Sequence, residues 1–361
     1  MRKESNTQAM GEPESGSARS ESTGEVITTA HGAGGERMRK LVDRLVGGRF
    51  DVAIEGGVGL DAFDDGAVIP IGDDSLVFTT DSHVVSPLEF PGGDIGRLAV
   101  SGTVNDLAVM GGTRPLGLTC SLVVEEGTSV DLVERVVESM RVACAEAGCS
   151  VVTGDTKVMG SGEIDTLVVN TTGVALVPTG QFVPDAGLSP GDAIVVSGTV
   201  GDHGISLLAA REGFDFEGEL ESDVAPLNGL VAAALEAGGV TAMKDPTRSG
   251  LAGALNEMAT KSGVGIEIRE ADVPIASAVA SAGSVLGIDP MMVANEGVVV
   301  FGCDPADADA ILAAVRDHPL GADAAIVGQA TADNEGSVVL DTGIGRRYLR
   351  EPEGDQLPRI C

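Results

Sequence analysis

The stretch Asp64-Asp-Gly-Ala-Val-Ile-Pro-Ile-Gly-Asp-Asp-Ser-Leu-Val-Phe-Thr-Thr-Asp81 decides how the chain is read. Ala67 to Ile71 and Leu76 to Thr80 are short runs rich in β-branched and apolar residues. Asp64-Asp65-Gly66 and Gly72-Asp73-Asp74 flank them as turn signals, so the pattern predicts two strands. Outward from this pair, Asp94 is a good N-cap for a helix reaching about Met110, stopped by Gly111-Gly112. Gly117 to Val124 reads as a strand. Val130 to Ala147 reads as a helix with Leu132, Val133, Val136, Val137 and Met140 apolar and Gly148 as its stop. Val151-Val152 and Leu167 to Val177 are further strands, and Met38 to Leu45 is a short amphipathic stretch.

Elements alternate again in the second half. Strands are expected at Ala193 to Ser197, Gly265 to Ile268, Val298 to Phe301 and Val338 to Leu340. Helices are expected at His203 to Arg211, Pro226 to Glu236, Arg248 to Lys261 and, for the most part, Val273 to Leu286, with another starting at Asp304-Pro305. The fold class is therefore α/β (α+β) in two domains. The Pro/Gly-rich stretch from Pro178 to Pro190 marks the boundary. The expected organisation is a polar, disordered extension over 1–28, a first domain over 29–178, a second over 179–341, and a mobile Pro/Gly-containing tail over 342–361.

The chain has 55 acidic residues against 23 basic ones and a net charge of −32, so nucleic-acid binding is excluded for want of a basic face. An anionic membrane surface is disfavoured likewise, and no apolar run is long enough to span a bilayer. The acidic excess is a solvated surface or a site for a cationic partner. The five cysteines form no CxxC pair and no zinc spacing, which points to free thiols in a reducing, cytoplasmic compartment.

Neither GxxxxGKS/T nor GxGxxG occurs, so a P-loop and a dinucleotide fingerprint are both unsupported. Asp64, Asp65, Asp81, Asp106 and Asp155 instead recur at turns and element ends beside Gly, Thr and Asn. Brought together, they suit a hard cation such as Mg²⁺ holding polyphosphate oxygens; taken singly, each caps a turn. Lys157 either steadies phosphate charge or forms a solvated pair with Asp155. Glu296, in Ala-Asn-Glu-Gly, is a base if it is buried and a turn residue if it is not. His31 and His203 lie beside glycines and receive no catalytic role. The final residue, Cys361, carries its own α-carboxylate, which raises its thiol pKa. Set at the tip of a Pro/Gly tail, it is either an incidental thiol or an arm that carries a group between sites.

Several motifs together resemble one family. They are His31-Gly-Ala-Gly-Gly35, Leu60-Asp-Ala-Phe-Asp-Asp-Gly-Ala67, Thr79-Thr-Asp-Ser-His-Val-Val-Ser-Pro-Leu88, Phe90-Pro-Gly-Gly-Asp-Ile-Gly96, Gly102-Thr-Val-Asn-Asp-Leu-Ala108 and Val152-Thr-Gly-Asp-Thr-Lys157. Val196-Ser-Gly-Thr-Val-Gly-Asp-His-Gly204, Asp245-Pro-Thr-Arg248, Ala294-Asn-Glu-Gly297 and Pro358-Arg-Ile-Cys361 complete the set. The chain resembles the HypE family, carbamoyl dehydratases of nickel–iron hydrogenase maturation. These lie in the superfamily of aminoimidazole ribonucleotide synthetase, selenophosphate synthetase and thiamine-monophosphate kinase. The Pro-Arg-Ile-Cys end sets this family apart from its kinase and synthetase cousins.

The resemblance implies a homodimer built on a β-barrel-like sheet of the first domain. It implies ATP and Mg²⁺ at Asp65, Asp81, Asp106 and Asp155, with Asp64 as a fifth. It implies that Lys157 and Glu296 surround a carboxamide carried on Cys361, with Glu296 as the proton-abstracting base. HypF, a carbamoyltransferase, would load the thiol, and a HypC–HypD iron scaffold would receive cyanide. Two rivals remain: a small-molecule kinase or synthetase of the same superfamily, and a non-catalytic scaffold displaying a cysteine.

Overall fold

The structure is a computed structural model that describes residues 26–32, 35–47, 49–50, 53–214, 220–352 and 359–360. Cys361, residues 33–34 of the first Gly-rich motif and most of the N-terminal extension lie outside the described residues. In chain order the first half contains α1 (Gly35–Val46), β1 (Ala67–Ile71), β2 (Asp74–His83), the small hairpin β3 (Glu89–Phe90) and β4 (Gly93–Asp94), and α2 (Ile95–Val109). It continues with β5 (Pro115–Glu125), α3 (Val130–Ala147), β6 (Val151–Met159) and β7 (Leu167–Pro178). The second half contains β8 (Ala193–Val196), α4 (Asp202–Glu212), α5 (Asn228–Ala237), β9 (Val240–Lys244), α6 (Gly250–Ser262) and β10 (Gly265–Arg269). Then follow α7 (Ser277–Leu286), β11 (Val300–Cys303), α8 (Ala308–Asp317), β12 (Ala325–Thr331), β13 (Val338–Asp341) and β14 (Arg346–Leu349).

The first sheet runs β1-β2-β7-β5-β6 and is antiparallel except for the β5–β6 pair. Helix α2 lies across it and is buried along most of its length. Asp94 starts that helix by accepting hydrogen bonds from the Gly96 and Arg97 N–H groups at 2.7 and 2.9 Å. Helix α3 packs outside it with the stripe Val136, Met140, Ala143, Cys144 and Ala147, and Gly148 ends it at φ +70°. Edge strand β6 has no such cover. Its residues are exposed from Val151 through Val158.

The second sheet runs β14-β13-β10-β12-β8-β11-β9, with only the β10–β13 pair parallel. Alternation along β8 divides its faces. Ile194 and Val196 join Leu251, Leu255 and Met258 of α6. Ala193 and Val195 join Leu230 and Val231 of α5 and Ile311 and Val315 of α8. Buried on both faces, β8 reads as a continuous apolar run.

Ala67–Ile71 and Val130–Ala147 form with the bounds the pattern predicts. Other elements differ for local reasons. The helix foreseen from Asp304-Pro305 begins at Ala308 instead. Asp304 is used in the preceding turn, where its side chain accepts from the Ala306 N–H and its carbonyl from the Asp307 N–H. The helix foreseen from Val273 begins at Ser277, because Pro274 disfavours helical backbone at the residue before it. Strand β6 runs seven residues beyond Val152, carried by its ladder with β5. Strand order extends into the tail as well: Arg346–Leu349 pairs with β13, and Leu349 is buried. Among the described residues no helix is long and apolar enough to cross a membrane.

Candidate active site

A cavity of about 310 Å³ opens between the two halves. Strand period 2 points Thr79, Asp81 and His83 of β2 to one side, and all three line it. Gly102 and Asp106, one helical turn apart on α2, face them. The close approach requires the glycine: a Cβ at Gly102 would sit 3.0 Å from His83 Cε1. Asp64 and Asp65, in the loop before β1, form the near wall, and Lys244, Asp245 and Arg248 at the exit of β9 form the far one. Glu257 and Lys261 project from successive turns of α6, α1 contributes Met38 and Arg39, and Glu296 lies at the base.

Seven carboxylates face four Lys/Arg side chains in this cavity. Lys244 Nζ lies 2.5 Å from Asp65 Oδ1, 3.3 Å from Glu257 Oε2 and 3.5 Å from Asp185 Oδ2. Lys261 Nζ donates to the Phe63 carbonyl and to Asp185, each at 2.6 Å. These two lysines neutralise one side. The other side is left over-supplied with negative charge. Burial first, then Asp65 and Asp185, push Asp64 up to about 7. Burial and the Asp65 charge push Asp245 up to about 8. Asp106, whose Oδ2 accepts from the Thr79 hydroxyl at 2.8 Å, is held well above the carboxylate range by burial and by Asp81, Asp245 and Asp65. Glu296, 3% exposed, is raised strongly by burial and by Asp245, Asp223 and Asp81, against the pull of Arg248.

Asp65 Oδ2, Asp245 Oδ2 and Glu296 Oε1 are buried without a hydrogen-bond partner. Buried, unpaired carboxylate oxygens beside raised carboxyl groups are the signature of a site that wants a cation. Among the described residues no three side chains already converge as a closed ligand set. Mg²⁺ is commonly bound through one or two carboxylates, with water and phosphate oxygens completing its shell.

The loop carrying Glu296 is held from behind. Asp223 accepts from the Glu296 and Gly297 N–H groups, each at 3.1 Å, and from Asn295 Nδ2 at 2.7 Å. Asn105 Nδ2 donates to the Glu296 carbonyl at 3.2 Å and to the Ala225 carbonyl at 3.1 Å, tying α2 to this loop.

The sequence candidates thus separate. Asp64, Asp65, Asp81, Asp106 and Glu296 meet in one cavity. Asp155 and Lys157 do not join it within one chain. They pair with each other at 3.4 Å on β6, with side chains 62% and 71% exposed. Cys361 lies outside the described residues. Lys244, Asp245, Asp185, Lys261 and Asp223 received no role from the sequence. A signal existed for two of them: the chain has only five lysines, and Lys244 and Lys261 both end here.

Two-domain topology and an acid-rich cleft between the halves define a class. Residues 63–177 match the AIR synthase related protein N-terminal domain, and residues 189–341 match its C-terminal domain. Closer relatives sharpen this. Carbamoyl dehydratase HypE of Cupriavidus necator is 46% identical over 93% of this chain and 95% of its own length. The chain belongs to the HypE family of hydrogenase-maturation carbamoyl dehydratases, ATP-dependent enzymes. Two solved structures are similar throughout. A HypE–HypF complex covers 88% of this chain and 100% of its own at 38% identity and a TM-score of 0.80. A hydrogenase maturation protein HypE in complex with ATP covers 91% of this chain and 98% of its own at 40% identity and a TM-score of 0.77.

Proposed function

We propose that this chain dehydrates an S-carboxamide on Cys361 to a thiocyanate at the expense of ATP, supplying the cyanide ligand of hydrogenase iron. The observation that carries this reading is the cavity itself, with unpartnered carboxylate oxygens at Asp65, Asp245 and Glu296 in a chain of this family. Asp65, Asp81 and Asp106 hold Mg²⁺, which neutralises polyphosphate charge; Asp64 and Asp245 are next to them.

An amide oxygen is a poor leaving group, and phosphorylation by ATP makes it a good one. The C–O bond to phosphate then breaks while the nitrogen gives up its protons, leaving S–C≡N, ADP and inorganic phosphate. Glu296 accepts a proton: a buried carboxylate of raised pKa is a strong base once ionised. Enclosure between the halves keeps water from the activated carboxamide.

Asp155 and Lys157 enter through a second copy. Strand β6 is an uncovered edge with Val152 68% and Val158 72% exposed, the kind of edge that pairs with another chain. A homodimer joined along it buries these valines and completes a barrel-like sheet. Asp155 then joins the nucleotide site across the interface, and Lys157 the carboxamide. A HypF carbamoyltransferase loads the thiol, and a HypC–HypD scaffold accepts cyanide. Free thiols at Cys120, Cys144, Cys149 and Cys303 suit the reducing cytoplasm.

Intact-mass analysis tests the reading. After incubation with HypF, carbamoyl phosphate and ATP, the chain gains a carbamoyl group and then loses one water. Cys361→Ala does neither and hydrolyses no ATP. ATP turnover by Cys361→Ala would instead indicate a kinase of a free substrate.

A further inference from the structure

His203, on the first turn of α4, is fully buried, and Phe90 meets its ring edge-on at a centroid distance of 5.5 Å. Both ring nitrogens are engaged. Nδ1 lies 2.7 Å from Ser222 Oγ, and Nε2 lies 2.8 Å from the carbonyl oxygen of Ile360. A carbonyl oxygen can only accept, so Nε2 carries the proton. Burial pushes the pKa down to about 4, which keeps the ring neutral and leaves Nδ1 an acceptor. The Ser222 hydroxyl therefore donates to Nδ1, while its oxygen accepts from the Val224 N–H at 3.1 Å. The relay has one direction, from Val224 through Ser222 and His203 to Ile360.

Other groups close around the same two tail residues. The Arg359 carbonyl accepts from the Ser86 N–H at 3.3 Å and from the Arg211 guanidinium. Ile360 is buried in the apolar cluster that holds Val85, Phe90, Ile205, Val293 and Ala294. The segments that hold it also lead into the cavity: Ser86 is three residues past His83, and Ala294 is two before Glu296. Ser222 also sits next to Asp223, the carboxylate that fixes the Glu296 loop. Adjacent residues thus orient the tail tip and the proposed base.

We propose that His203, aligned by Ser222, is a positioning residue that holds the tail by the Ile360 carbonyl and so sets how the Cys361 thiol meets the Glu296 loop. Ile360 immediately precedes Cys361 in the chain, so a hydrogen bond to the Ile360 carbonyl acts on the peptide unit that joins the two. The catalytic consequence rests on Cys361 as the carrier; the docking does not.

Two readouts on the full chain separate these claims. The first is limited trypsin cleavage after Arg359, followed by mass. His203→Ala should speed it about tenfold, the factor that one hydrogen bond of ordinary strength supports. The second is the single-turnover rate of ATP-dependent water loss from protein already loaded with carboxamide. It should fall about tenfold with the half-saturating ATP concentration unchanged. His203→Gln, which keeps an N–H near the Nε2 position, should recover most of both, and His203→Phe should recover neither. Ser222→Ala should repeat the pattern more weakly, and it carries the test if His203→Ala does not fold. Wild-type cleavage and water loss in His203→Ala, or equal defects in the Gln and Phe variants, would overturn the proposal. Absence of water loss from the wild type would sink the dehydratase reading alone, leaving the cleavage result to judge the docking.

Discussion

At the residue scale, the cavity's chemistry follows from too many carboxylates in too little water. Asp64, raised to about 7, is about half protonated in neutral solution without a cation, and Asp245, raised to about 8, is mostly protonated. Their folded pKa values exceed the unfolded value near 4, so the folded state binds more protons between the two. These groups therefore lower stability as pH rises from about 4 towards about 8, and Mg²⁺ with nucleotide removes that slope. Differential scanning fluorimetry across this range, with and without Mg²⁺–ATP, reads it directly. A flat profile for the protein alone would contradict the charge assignment. Mg²⁺–ATP binding should also release protons, seen as a buffer-dependent calorimetric heat near pH 7. Asp106→Asn should abolish ATP use while Cys361 still accepts carbamoyl, by intact mass. Glu296→Gln should accumulate the S-carboxamide; ready thiocyanate formation in that variant removes Glu296 as the base.

Legibility differed among the residues. Asp65, Asp81 and Asp106 are readable because each adjoins Gly, Thr or Asn in a short polar motif, although Asp81 lies within β2 and Asp106 within α2 rather than at their ends. Asp223 was not: its work is to accept from backbone N–H groups more than seventy residues away, which leaves no local pattern. Lys244 was missed because it ends β9, a short strand whose Val-Thr-Ala-Met run gives little periodicity.

At the scale of elements, the proposed homodimer turns on β6. A strand exposed on both faces along an edge is stable as part of a larger sheet. Val152→Asp should leave the β5–β7 core intact and shift the molecule from dimer to monomer in light scattering after size exclusion. Loss of dehydration should accompany the shift if Asp155 and Lys157 act across the interface. An active monomer would place both residues outside the reaction. Sequence pattern marked only Val151-Val152 as strand here, because the polar residues that follow are held by pairing with β5, which periodicity cannot register. The buried stripe of α3 was plain by contrast. Met140→Ala there should cost about 2–5 kcal/mol in denaturant unfolding.

For the whole molecule, the two sheets are a frame that brings an acid-rich cleft and the loop carrying Glu296, the proposed base, together. The central claim is that the oxygen removed from the carboxamide departs on phosphate. Loading Cys361 with a carboxamide whose carbonyl carries heavy oxygen, then adding ATP, tests it directly. Mass analysis of the released inorganic phosphate should find the heavy atom there, one per thiocyanate formed. Heavy oxygen recovered in water, with unlabelled phosphate, would contradict the account.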